Sequence, residues 1–139
     1  MAPDVVVNRA NFYTWAQDFG FKYRGLALNG QYFLRWLNGF VANGPLPISS
    51  TFDHGFEVSV ANFFFSDCEL YARTSFVFGE FRDSYEYCAG FNWYPFSNRG
   101  LRICGEVGRT ENSPVGNIIT PYQAGQTGWM SVLQANLNF

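Results

Sequence analysis

Alternation of apolar and polar side chains with a period of two residues constrains the fold of this chain more than any other feature. The alternation recurs in seven segments, most of them about ten residues long, and no capped helical pattern interrupts them. About ten residues is also the length of a tilted strand that crosses a bilayer. The sequence therefore predicts an all-β, antiparallel chain with seven main strands.

The charges within these segments follow the same period. The segments are "FGFKYRGLAL", "QYFLRWLNGF", "GFEVSVANFF", "ELYARTSFVFGE", "YEYCAGFNWY", "LRICGEV" and "GWMSVLQANLNF". Where a segment carries charges, they fall on one face, and the other face carries most of the aromatic residues. Alternation of this kind is typical of a transmembrane β-barrel. We expect a single barrel segment over residues 1–139, with residues 1–13 irregular and residues 14–139 forming the strands.

The connections predict which end of each strand faces which side of the membrane. We expect short turns at Asn29-Gly30 and Ser66-Asp67, and long segments over residues 41–55 and 109–125. Residues 80–84 and 95–100 make the two remaining connections. Outer-membrane barrels have short periplasmic turns and longer external loops, so the C-terminus is expected on the periplasmic side.

Composition narrows the class of protein further. Aromatic residues make up 20 % of the chain and charged residues 14 %, which excludes a disordered chain. A net charge of −2 gives no basic footprint for nucleic acid. The uncharged stretches are broken by Asn, Gly, Pro and Ser, so none predicts a membrane-spanning helix. A soluble sandwich or a lipocalin-like barrel, which also alternates, is the alternative fold.

The odd number of strands bears on closure of the barrel. Bacterial single-chain barrels have an even number of strands, and an open edge in hydrocarbon leaves costly unpaired backbone groups. The first residues also lack the pattern of a signal peptide. We therefore expect this chain to be the C-terminal piece of a larger barrel.

The order and spacing of several stretches are similar to the C-terminal third of bacterial porins of the phosphate-selective porin O and P family. The stretches are "FKYRGLALNGQYFLRWLNGF", "ISSTFDHGFEV", "ELYARTSFVFGEF", "YCAGFNWYPF", "LRICGEVGRTENSPVG" and "LQANLNF". The resemblance implies a water-filled and often trimeric outer-membrane barrel of roughly 16 to 18 strands. It does not extend to the lysine-rich anion site of the named members, because Lys22 is the only lysine.

The final strand has a second pattern that resembles one found in outer-membrane proteins. An aromatic residue ends the chain, and apolar residues occupy every second position before it: Leu133, Ala135, Leu137 and Phe139. This pattern is similar to the signal by which the barrel assembly machinery recognises its substrates. An ordinary final strand is the alternative interpretation.

Charged residues on the predicted inward faces are the candidate pore-lining residues: Lys22, Arg24, Arg35, Glu57, Arg73, Glu86, Arg102 and Glu106. Five basic against three acidic groups predict a weak preference for anions. Pairing of these charges across neighbouring strands is the structural alternative. Four aromatic residues near the predicted strand ends suit interfacial girdles: Trp15, Trp93, Tyr94 and Trp129. Plain packing is the alternative interpretation of these residues.

These features predict a porin-like channel for passive diffusion of small hydrophilic or anionic solutes, located in the bacterial outer membrane. The alternative function is a small barrel that binds an apolar ligand. We expect no enzymatic activity, metal or cofactor, since no phosphate-binding loop or metal-ligand spacing occurs. His54 is expected in a solvated loop, and the three cysteines in packing roles. The expected partners are outer-membrane lipid, the assembly machinery and two further copies in a possible trimer.

Overall fold

Seven strands account for most of the chain. The computed structural model describes residues 5–96, 100–114 and 123–137. The strands are β1 (Val7–Tyr23), β2 (Leu26–Ala42), β3 (Ser50–Phe65), β4 (Cys68–Gly79), β5 (Ser84–Trp93), β6 (Leu101–Glu111) and β7 (Gly128–Leu137). Each pairs antiparallel with the next in one sheet of order β1 to β7. The prediction of an all-β antiparallel chain with seven strands is confirmed, and the described residues contain no helix.

The sheet is a single open layer. Each strand contacts only its neighbours in sequence, so β1 and β7 form the two edges and the sheet is not closed into a barrel. Both edge strands run in the same direction, because six successive reversals separate them. In the part of the chain that the structure describes, no helix is long and apolar enough to cross a membrane.

The first hairpin turns five residues earlier than the sequence predicts. Arg24 and Gly25 have φ angles of 46° and 87°, the left-handed pair that a two-residue hairpin of the type I′ class requires. Asn29 and Gly30, predicted as this turn, lie inside β2 opposite Gly20 and Phe19. The longer β1 that results begins at Val7, so residues 7–13, expected to be irregular, belong to a strand.

The second connection is also shorter than expected. It covers residues 43–49 rather than 41–55, since β3 already begins at Ser50. His54, expected in a loop, therefore lies in a strand. The Ser66-Asp67 turn is confirmed, and the remaining connections cover residues 80–83, 94–100 and 112–127. Parts of the last two lie outside the described residues.

Register across the strands separates two faces. The apolar face includes the cross-strand row Leu28, Val60, Ala72, Ala89 and Val107. The charged face includes Lys22, Glu57, Arg73, Glu86 and Glu106.

The expectation of an apolar face without charge is wrong at one end of β6. Arg109 and Glu111 lie on the apolar face there, and Arg109 Nη2 is 2.9 Å from Glu111 Oε1. The pair lies at the strand end next to the 112–127 connection, where each charge has its partner.

The single layer has no hydrophobic core of its own. Cys88 is the one buried apolar side chain among the described residues, and no large side chain is fully buried. On the apolar face Leu133 is 78 % exposed and Phe19 57 % exposed. Burial within this sheet cannot offset the entropy lost on folding, so the apolar face requires a surrounding apolar medium or partner.

Four aromatic rings lie over glycines of the neighbouring strand. The pairs are Phe19 with Gly30, Phe33 with Gly55, Tyr71 with Gly90 and Phe91 with Gly105. A Cβ atom added at any of these glycines would approach the facing ring within 2.1 to 2.7 Å. Glycine is therefore needed in these strands to seat a ring.

Candidate functional site: the charged face

Seven of the eight predicted pore-lining residues share the charged face. They are Lys22, Arg35, Glu57, Arg73, Glu86, Arg102 and Glu106. Arg24 does not join them, because it occupies the first hairpin turn and its guanidinium lies 5.2 Å from the centre of the Tyr23 ring. The alternation predicted these placements wherever it also predicted the strand boundaries correctly.

Arg73 is the centre of the face and bridges two carboxylates. Its Nη2 atom lies 3.2 Å from Glu86 Oε1 and 3.3 Å from Glu106 Oε1. The same nitrogen is 3.6 Å from Cys88 Sγ. These contacts tie β4 to β5 and β6, so part of the predicted pore charge is used in cross-strand pairing.

Two hydroxyl groups complete the hydrogen bonding of these carboxylates. Tyr71 donates to Glu106 Oε2 at 2.9 Å, and Thr110 donates to Glu86 Oε2 at 3.4 Å. Arg73 Nε is buried and has no hydrogen-bond partner among the described residues. With one guanidinium for two carboxylates, the cluster keeps one net negative charge.

A concavity of about 390 Å³ opens beside this cluster. Glu69 on its wall accepts a hydrogen bond of 2.7 Å from Asn92 Nδ2. Arg102 also lines it, and no described carboxylate lies within ion-pair distance of this guanidinium. The wall is largely polar and open, so this concavity is not an enclosed ligand pocket.

Three acidic residues of the charged face were missing from the predicted set: Asp18, Asp53 and Glu69. Asp53 accepts a hydrogen bond of 3.0 Å from Arg35 Nε and forms an ion pair with the same guanidinium. The true strand limits would have revealed Asp18 and Asp53, since both obey the alternation once β1 and β3 are extended.

A band of aromatic rings crosses the apolar face from β1 to β5. Trp15 lies 6.1 Å from Tyr32, and His54 lies 5.2 Å from Phe78, both measured between ring centres. Tyr32 Oη and His54 Nδ1 are 3.2 Å apart. The expected solvated histidine is thus a member of an aromatic cluster.

The predicted girdle residues have different outcomes. Trp93 ends β5, Tyr94 follows it directly, and Trp129 is the second residue of β7. Trp15 lies in the middle of β1, not near its end, because the strand begins at Val7. Trp129 faces Arg109, whose guanidinium carbon is 5.8 Å from the ring centre.

Three of the four residues of the predicted assembly signal lie on β7. Leu133, Ala135 and Leu137 all point to the apolar face, where Leu137 is 71 % exposed. Phe139 lies outside the described residues.

Among the described residues, no group of three His, Cys, Asp or Glu side chains could hold a metal ion. Comparison with known proteins found no matching family model, no similar curated protein and no similar solved structure. Any function must therefore be argued from the sheet itself.

Proposed function

We propose that the chain forms part of the wall of a bacterial outer-membrane porin through which small hydrophilic solutes diffuse passively. In this arrangement the apolar face contacts lipid and the charged face lines the aqueous channel. A single-layered sheet with no core of its own, apolar on one face and charged on the other, carries the proposal. Such a sheet needs a different solvent on each side, as a membrane barrel has.

The strand lengths support the proposal. A barrel strand needs about 9–11 residues to cross the hydrocarbon region. The shortest strands, β5 and β7, have 10 residues, and β1 and β2 have 17. Every strand is therefore long enough, and the longer ones would project beyond the membrane.

The aromatic band supports the same orientation. Tyr and Trp prefer the boundary between hydrocarbon and water, where the ring is apolar and the polar atom stays wet. The band adjoins the aliphatic row that contains Leu28, Val60 and Val107, as an interfacial girdle adjoins a lipid-facing surface. The expected partners, outer-membrane lipid and the assembly machinery, follow from this proposal, and the possible trimer stays a prediction.

Two adjacent residues on opposite faces test the orientation. Ser59 faces the charged side and Val60 the apolar side. We would place a single tryptophan at either position, as Ser59→Trp or Val60→Trp, after changing the native tryptophans to phenylalanine. Each variant would be refolded into phosphatidylcholine vesicles with and without brominated acyl chains.

We expect brominated lipid to quench the tryptophan at position 60 and aqueous iodide to quench the one at position 59. The lipocalin-like alternative places the apolar face around an enclosed ligand, so a tryptophan at position 60 would be shielded from both quenchers. Equal quenching at the two positions, or lipid quenching at neither, would refute the membrane proposal.

A further inference from the structure

One cross-strand row of the charged face contains three carboxylates and no basic residue. Its members, read from β1 to β7 through successive register partners, are Asp18, Gln31, Glu57, Ser75, Glu86, Thr110 and Gly128. The acidic residues occupy β1, β3 and β5. Alternate strands of the row therefore carry a negative charge up to β5.

The spacing makes these charges act together. Neighbouring strands are about 4.8 Å apart, so carboxylates on alternate strands are separated by about 9–10 Å along the sheet. That separation is close to the Debye length of about 8 Å at physiological ionic strength, so their fields overlap. An ion beside Gln31 or Ser75 lies between two of the carboxylates.

The surrounding cations that the structure describes leave two of the three carboxylates of the row unpaired. Arg73 is shared by Glu86 and Glu106, and Arg35 is paired with Asp53. Asp18 and Glu57 line an open concavity of about 250 Å³ with Gln31 between them. Neither of the two has an ion-pair partner among the described residues.

The same imbalance extends over the charged face of the regularly paired part of the sheet. The basic residues there are Lys22, Arg35, Arg73 and Arg102, and the acidic residues are Asp18, Asp53, Glu57, Glu69, Glu86 and Glu106. Arg9 lies outside this part, since register shifts flank it on both sides. Within this part, acidic groups therefore outnumber basic ones by two. The sequence-based count of five basic against three acidic residues is wrong, because it includes Arg24 and omits Asp18, Asp53 and Glu69.

We propose that the charged face favours cations over anions, and that Asp18 and Glu57 are the residues that set this preference. The inference rests on the proposed function, since a preference for ions matters only where this face lines a channel. Rings of acidic side chains select for cations in pores by the same electrostatic effect. The expected weak preference for anions is thereby reversed.

The first test measures the potential at the face without requiring conduction. A single cysteine would be introduced as Ser75→Cys, after changing the native cysteines to serine, and the chain would be refolded in a non-ionic detergent. Its reaction rates with a cationic and an anionic methanethiosulfonate reagent would be compared, each divided by the rate with free cysteine. The ratio cancels any difference in the reactivity of the thiol itself.

The cationic reagent should react roughly three- to fivefold faster, as expected for a carboxylate one strand away in water at moderate salt. The double variant Asp18→Asn, Glu57→Gln should bring the ratio to about one. Glu80→Gln, which removes one negative charge from the 80–83 connection, serves as the matched control and should leave the ratio unchanged. A ratio at or below one in the Ser75→Cys chain overturns the inference.

The second test measures conduction in planar bilayers under a potassium chloride gradient. A reversal potential of the sign for cation preference, reduced by the Asp18→Asn, Glu57→Gln variant and not by Glu80→Gln, supports the inference. A preference for anions overturns it while leaving the proposed channel intact. Absence of conductance together with a cationic rate preference at position 75 contradicts the channel but upholds the negative potential of the face.

Discussion

Replacing Gly90 by alanine should strongly destabilise the sheet. A Cβ atom at position 90 would lie 2.5 Å from the backbone oxygen of Gly105 and 2.5 Å from the hydroxyl oxygen of Tyr71. The first contact cannot be relieved by rotating a side chain, because the oxygen belongs to the paired strand. The second would push Tyr71 away from Glu106, to which it donates at 2.9 Å.

The magnitude follows from these two contacts. Forcing an extra methyl into a packed site costs about 1–3 kcal/mol, and losing a hydrogen bond to a charged group costs about 1.5–3 kcal/mol. Because the site is partly exposed to water, we expect the free energy of unfolding to fall by about 3 kcal/mol in Gly90→Ala. The change would be measured by denaturant unfolding in detergent micelles, followed by tryptophan fluorescence.

Gly128 provides a matched control. No atom lies within 4 Å of a Cβ built there, so Gly128→Ala should be neutral or should raise stability by about 0.5 kcal/mol. On a Tyr71→Phe background, Gly90→Ala should still cost about 1–3 kcal/mol, since the contact with the carbonyl oxygen remains. Equal unfolding midpoints for the two alanine variants, or full rescue by Tyr71→Phe, would refute the reasoning.

Two further predictions concern single side chains of the two faces. Arg73→Met leaves Glu86 and Glu106 without their shared cation and should lower the free energy of unfolding by about 1–2 kcal/mol. This is less than the roughly 3–5 kcal/mol for breaking a fully buried pair, because solvent screens these partly exposed charges. Arg102→Gln, a matched loss of charge beside the same concavity, should change the unfolding midpoint little, and equal effects of the two variants would contradict the pairing described. His54→Phe should alter stability by less than about 1 kcal/mol, because the side chain already packs among aromatic rings, whereas His54→Lys should cost about 2–4 kcal/mol in a lipid bilayer if that position contacts lipid. Both His54 variants would be refolded into vesicles, and their free energies of unfolding would be measured in urea. A His54→Lys variant as stable as the native chain would argue against lipid contact at this position.

The alternation predicted the strand number and the separation of the faces because it reports directly on the pleat of a strand. The position predicted for the first hairpin turn was wrong, because the Asn29-Gly30 turn signal lies within a strand. Gly30 is needed there to seat the ring of Phe19, a contact between strands that local turn preference cannot reveal. The actual turn places Arg24 at a positive φ angle, which is uncommon for a residue other than glycine, asparagine or aspartate.

The candidate site was harder to predict than the fold, because the residues on each face depend on strand limits and contacts between strands that local sequence does not reveal. Moving the first turn extended β1 towards the N-terminus, and moving the start of β3 added Asp53 to the charged face. A charge count on a sheet depends on strand limits and register: the true limits remove Arg24 from the charged face and add Asp18 and Asp53 to it. The ion pairs of Arg73 also required register, because they join residues 13 and 33 positions apart in the chain.

The rings seated over glycines have a consequence for how the strands find their partners. A slip of two residues keeps every side chain on its own face, so alternation alone does not penalise it, but it drives a ring onto a residue that has a Cβ atom. Such ring–glycine pairs constrain the register at four of the six strand interfaces. At the β3–β4 interface the stacked rings of Phe56 and Phe76, with centres 4.8 Å apart, have the same effect. Among the described residues the β6–β7 interface has no such ring pair: Arg109 contacts Trp129 at one end, and Asn136 Nδ2 lies 3.5 Å from Cys104 Sγ towards the other. Misalignment is therefore penalised least at the C-terminal strand, and errors in pairing should concentrate there while the sheet assembles.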